Sequence, residues 1–168
     1  MEVEMLRGRA VVSLHQAKKL GEVQDVLLDV QKHRIAALSL RGGLFHGGPV
    51  IAWSDVRTVG LDAVMVDDAD AVHRPARTAQ DDEIAVASLH GMKVVTDAGE
   101  LVGTIKEVEV DPESGGVAHY VVESADATVF HSGPRILVPP RAVVAFGTDL
   151  VTVLAAAIDL PRSPDPAS

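Results

Sequence analysis

The 168-residue sequence contains no cysteine. That excludes a disulfide framework, a thiolate metal centre and a cysteine nucleophile, and it fits a reducing compartment, so a cytoplasmic location is expected. Aromatic residues are scarce: one Trp, one Tyr and three Phe. Stacking platforms for single-stranded nucleic acid need more than this. Positive charge is in deficit, with 15 Lys and Arg against 24 Asp and Glu and a net charge of −9. Such a chain lacks the basic footprint that drives nucleic-acid binding, and it disfavours an anionic membrane surface. No apolar run approaches the roughly 18 residues of a membrane helix. Met1 to Leu6 carries acids where an export leader has a basic region and an apolar core, so a soluble, unexported chain is expected. The Gly-x-Ser-x-Gly elbow, the phosphate loop and the dinucleotide fingerprint are missing as well.

What the sequence does contain is a repeat. Gly21-Glu22-Val23-Gln24-Asp25-Val26-Leu27-Leu28-Asp29 aligns without a gap to Gly103-Thr104-Ile105-Lys106-Glu107-Val108-Glu109-Val110-Asp111, 82 positions later. Upstream, Leu6 to Val12 matches Leu89 to Val95 at an offset of 83, and downstream Val56 to Val66 matches Val143 to Val153 at an offset of 87. A period this long is a duplicated domain and not a solenoid repeat. Domains this small bury a modest fraction of their surface, so the halves are expected to pack on each other or on a second chain.

The repeated stretch reads as a strand, by its β-branched content and its short apolar run. Its apolar phase breaks, however. Val23 is on odd numbering and Val26 and Leu28 on even; Ile105 is odd and Val108 and Val110 even. Strict alternation forbids this, so the buried face changes between the third and sixth positions of each copy, through one extra residue in the strand or a sharp coil. Each copy is read as the long, bent strand of a small barrel.

Around these strands the first half predicts short strands at Ala10–Ser13, Ile35–Arg41 and Val50–Ala52, a helical turn at 53–56 capped by Ser54 or Asp55, and a hairpin around Leu61-Asp62. His15 to Leu20 reads as a loop and Met1 to Glu4 as a frayed start. The second half repeats the order, with Gly115-Gly116 supplying positive φ in its turn and Pro139-Pro140 opening the helical turn. The expected organisation is a first repeat over 1–67, a linker over 68–87 with a short helix near Ile84–Ala87, a second repeat over 88–155 and a disordered tail over 156–168.

In this order the elements resemble the PRC-barrel, the domain of the cytoplasmic part of the photosynthetic reaction-centre H subunit and of the C-terminal part of the ribosome maturation factor RimM. The resemblance covers about Leu6 to Val66 and Leu89 to Val153. It implies an all-β fold of two tandem small barrels, each with about six mostly antiparallel strands. It further implies a protein-docking surface with no catalytic role. Neither a membrane helix nor a different β-domain is expected ahead of its barrels, so a departure from both named proteins is expected.

Few residues suggest chemistry. Phe45-His46-Gly47-Gly48-Pro49 is echoed by Phe130-His131-Ser132-Gly133-Pro134. Two pseudo-symmetric histidines could build a ligand or metal site; the plainer reading is a loop whose Phe anchors it and whose Gly and Pro shape its turn. Trp53, the sole Trp, is either an interface anchor or a core or rim residue of the barrel. Phe45, His46, Trp53, Phe130 and His131 are thus the candidate ligand or partner surface. Asp25, Asp29, Glu107 and Asp111 sit in the middle and at the end of the bent strands, where acid–base work and turn capping compete as explanations. No catalytic residue, metal ligand or cofactor is expected. The expected role is a non-enzymatic interaction module, as a homodimer or a tightly packed pseudo-dimer, with a ligand-binding protein and a ribosome-linked adaptor as alternatives.

Overall fold

The structure, a computed structural model, describes residues 1–41, 48–73, 82–125 and 134–159. It is all-β, two tandem small barrels built from strands and single helical turns. The strands are β1 (Ala10–Ser13), β2 (Lys18–Asp29), β3 (Arg34–Leu40), β4 (Val50–Ala52), β5 (Val56–Val59), β6 (Ala63–Val66), β7 (Val72–His73) and β8 (Glu83–Ala85). They continue as β9 (Lys93–Thr96), β10 (Leu101–Val110), β11 (Val117–Ser124), β12 (Arg135–Val138), β13 (Val143–Phe146) and β14 (Leu150–Val153). Two compact units form. The first comprises Met1–Ser88 with Glu109–Val117, the second Leu89–Val108 with Ala118–Ser168.

In the first unit the strand order is β5-β6-β1-β2-β3-β4-β7, with β8 pairing β2. In the second sheet it is β13-β14-β9-β10-β11-β12, the same order strand for strand. In both, the first and last strands of the copy, β1 with β6 and β9 with β14, pair in parallel, while the other pairs within each copy for which registers are available run antiparallel.

The bend expected from the phase break is a bulge. Val23 pairs Leu40 and Asp25 pairs Ser39, so Gln24 is the extra residue. Val23, Val26 and Leu28 are all buried while Gln24 faces solvent. In β10, Ile105, Val108 and Val110 are buried in the same rhythm. The insertion keeps the apolar side chains on the core side as the strand coils, and each such residue contributes about 1.5–3 kcal/mol on burial. Further bulges recur at matched positions, at Leu20 and Val102 and at Arg57 and Val144.

Four local expectations are corrected. Lys18 to Leu20 are not loop: Lys18 and Lys19 pair with Ser13 and Val12, across a tight turn in which Ala17 has φ 49°. The first residues are not frayed, because Glu2 bridges Glu109 and Val3 is fully buried. The helical turn ahead of the second repeat starts at Val86, since Ile84 and Ala85 are drawn into pairing with Leu28 and Leu27. The turn at Trp53–Asp55 has no side-chain cap and is held by the burial of Trp53.

The cores match at many positions and change character at others. Val11, Val23, Leu40, Ile51, Val64 and Val66 correspond to Val94, Ile105, Val122, Val138, Val151 and Val153, all buried. Where the first copy places Leu38, the second places Tyr120, whose ring meets Phe146 edge-on at 5.5 Å between centroids. Burial pushes the Tyr120 phenol pKa upward, so it stays neutral.

Candidate functional site

Asp29 and Asp111 end the bent strands as turn acceptors. The Asp29 carboxylate accepts from the backbone N–H of Gln31 at 3.0 Å and of Lys32 at 2.9 Å. The Asp111 carboxylate accepts from Glu113 at 2.8 Å and Ser114 at 3.4 Å. These are Asx turns, and they engage Oδ1 of each carboxylate in holding the turn. Mid-strand, Asp25 accepts from the Val26 N–H at 2.8 Å and pairs with Arg7 at 3.2 Å. Glu107 pairs with Arg135 at 3.1 Å. Among these four carboxylates each one has a structural partner, and they lie at turns and on strand faces, not around a common cavity.

Each copy carries an open cleft beside its helical turn. In the first unit about 400 Å³ is lined by Asp55, Arg57, Asp67, Asp68, Asp70 and His73 among others. The charges there pair with one another: Arg57 with Asp67 at 2.8 Å, and His73 with Asp55 at 3.8 Å. His15, on the preceding turn, meets Asp68 at 3.0 Å. In the second unit about 380 Å³ is lined by His119, Leu137, Pro139, Arg141, Ile158 and Asp159 among others. The clefts overlap only in part, at Ser54 with Arg141, Asp70 with Ala157 and Ala71 with Ile158, and they differ in chemistry. Neither was foreseen from sequence, because a cleft lined by residues from separate elements leaves no local pattern. Among the described residues no group of three or more His, Asp or Glu is arranged to hold a metal ion, and no helix is long and apolar enough to cross a membrane.

Of the five sequence-derived site residues, Phe45, His46, Phe130 and His131 lie outside the described residues. Trp53 lies within them and is the most telling. It is 7% exposed, and its indole rests on Gly115, the turn residue that closes the bent strand of the second copy. A Cβ built on Gly115 would sit 2.4 Å from the indole Nε1, 2.7 Å from Cε2 and 2.9 Å from Cδ1. Gly115 also has φ 74°. Two independent constraints, the close approach and the left-handed backbone, therefore demand glycine there.

Gly115 sits where it does through backbone pairing inside the first unit. The Ile35 N–H donates to the Gly115 carbonyl at 2.8 Å, and the Val117 N–H donates to the His33 carbonyl at 2.8 Å. Arg34 thereby bridges Gly116, its own equivalent in the repeat. The leading segments behave alike. The Met1 ammonium donates to the Val110 carbonyl at 2.9 Å and meets the Glu109 carboxylate at 3.0 Å, while the Val110 N–H donates back to the Met1 carbonyl at 2.8 Å. In matching register, Ile84 pairs Leu28 and Ala85 pairs Leu27. Each copy thus lends its first residues to the long strand of the other. Sequence reading placed positive φ at Gly115 and Gly116, of which only Gly115 has it; it missed the contact with Trp53, although a signal existed: the repeat has His33 opposite Gly115, and Trp53 opposite Pro140.

A family model for the PRC-barrel domain matches residues 1–72 and 81–159. An uncharacterised protein of Clostridium acetobutylicum is 24% identical over 70 residues, which cover 38% of this chain and 80% of that protein. The strand order found twice, the matched bulges and a family match across both copies lead to one statement: this chain belongs to the PRC-barrel domain family, as a tandem of two such domains.

Proposed function

We propose that the chain is a non-enzymatic protein-interaction module, a covalently linked pair of PRC barrels that offers a docking surface to another protein in the cytoplasm. One observation carries this reading. The carboxylates that recur in both copies, Asp25 with Glu107 and Asp29 with Asp111, are engaged in strand and turn bonds, so the duplicated positions serve the fold. The second unit also leaves aliphatic side chains at its surface. Leu101, Leu137, Val144, Leu150 and Leu154 of the second unit are each at least 40% exposed. Aliphatic side chains left at a surface are what a protein partner covers.

The test uses the intact protein as bait in an extract of its host. A partner held by the wild type should be lost at least about tenfold on Leu137→Glu with Leu154→Glu. It should be retained by Asp25→Asn and Glu107→Gln. A turnover by the purified protein that disappears with Asp25→Asn or Glu107→Gln overturns the reading.

A further inference from the structure

The pairing inside the first unit has a property that its hydrogen bonds alone leave open. Arg34 pairs with its repeat-equivalent Gly116, and the two flanking bonds, Ile35 to Gly115 and Val117 to His33, interchange when the copies are interchanged. The leading segments obey the same rule: Glu2 bridges Glu109, and their equivalents Ala85 and Leu27 pair with each other. A contact in which every residue meets its partner's equivalent is isologous, the arrangement of a two-fold dimer. Backbone groups of this kind serve equally for first copy with second, first with first, or second with second from another molecule. Discrimination must come from side chains that break the equivalence.

Trp53 and Gly115 break it. We propose that this pair sets the specificity of the interface, so that the first copy pairs with the second and each copy rejects its own kind from a second molecule of the same chain. Pairing first with first puts His33 in the place of Gly115. His33 shares the left-handed backbone, with φ 49° against 74°, but it carries a Cβ, and a Cβ at that place falls 2.4 Å from the indole Nε1. The indole has to leave its buried position. Pairing second with second puts Pro140 in the place of Trp53, and a pyrrolidine ring over Gly115 leaves a void where the indole was. One wrong pairing clashes and the other is underpacked; only the mixed pairing fills the space. The device works beside the linker, which already favours pairing within one chain by raising effective concentration. It rests on the proposed reading of the chain as a linked pair of barrels.

The linker's contribution must be removed to read the preference. A protease site inserted between residues 77 and 78 of the full-length protein allows the chain to be cut after folding. The two pieces are then dissociated in mild denaturant, reassociated and weighed by native mass spectrometry. Mixed complexes should outnumber pairs of the N-terminal piece by at least about tenfold. His33→Gly removes the offending Cβ and should raise those pairs about tenfold, while His33→Asn, which keeps a Cβ and tolerates positive φ, should behave as wild type. Like pairs as abundant as mixed ones in the wild type, or equal behaviour of His33→Gly and His33→Asn, overturn the proposal. The uncut protein supplies a second reading. Gly115→Ala should lower the unfolding midpoint and red-shift the emission of the only Trp, and the drop in midpoint should shrink at least by half in a Trp53→Ala background. Equal losses in both backgrounds count against it. A protein that captures no partner yet keeps the mixed preference loses the docking function and retains this inference.

Discussion

The two copies share strand order, bulge positions and turn capping, and they differ at a handful of places that tertiary contacts single out. Trp53 stands against Pro140, His33 against Gly115, Leu38 against Tyr120. Gly21 and Gly103 look identical in sequence and are not equivalent in space. A Cβ on Gly21 would touch Leu40 Cδ1 at 3.4 Å, an ordinary contact, whereas one on Gly103 would lie 1.8 Å from the Glu123 carbonyl oxygen. The edge of the sheet differs too. In the first unit β4 is covered by β7, while β12, its counterpart, ends the second sheet among the described residues. Duplication preserved what each barrel needs for itself and let the copies diverge where each makes contacts of its own.

The largest test of that comparison is the glycine pair. Their φ angles are 159° and 158°, so any backbone cost cancels between them. Gly103→Ala should destabilise by about 3 kcal/mol, because β10 and β11 must separate to admit the methyl group. Gly21→Ala should cost about 1 kcal/mol or less beyond the shared backbone cost, since Leu40 has room to adjust. Urea unfolding of the two variants decides it, and equal losses would mean that the copies relax alike.

A smaller effect is expected at the turns, where the copies should agree. Asp29→Ala and Asp111→Ala should each cost about 1 kcal/mol, the usual net value of a lost turn bond. Asp29 should lose slightly more, because both of its bonds are at or below 3.0 Å while one of those to Asp111 is 3.4 Å. Asn at either position keeps an acceptor oxygen and should recover most of the loss. Variants that leave the unfolding midpoint unchanged would reopen a functional role for these carboxylates.

The smallest effect is a pH dependence belonging to the first copy alone. Burial lowers the His33 pKa from its ordinary 6.5, against an opposing pull from Asp29. The folded state therefore prefers neutral His33. Above pH 6.5 its contribution is fully present; as pH falls below that value the unfolded chain binds the proton first, and stability declines through the folded pKa. Gly115 holds the equivalent place in the second copy and cannot titrate. Unfolding midpoints between pH 8 and 5 should show a decline that His33→Asn reduces. An unaltered profile in that variant would assign the decline to other groups.

Much of this protein was legible from its residues taken in order. The duplication and the strand sequence came from periodicity and spacing, and the order of these motifs carried the resemblance to the PRC-barrel. So did the change of buried face between Val23 and Val26, for which an extra residue and a sharp coil both stood open; the pairing of Val23 with Leu40 and of Asp25 with Ser39 put the extra residue at Gln24. The capping role of Asp29 and Asp111 was among the readings that their place before a turn suggested. Those features are local, and local chemistry writes them in adjacent residues. Tertiary structure decided the rest. Met1 to Val3 became ordered because β10, more than a hundred residues away, offers Glu109 and Val110 for pairing. Backbone donors and acceptors are the same in every residue, so which strand covers which edge is not spelled in a pattern. Trp53 meeting Gly115 followed from that pairing, and the missing Cβ acquired its meaning only when the fold brought an indole to within 3 Å of where that atom would stand.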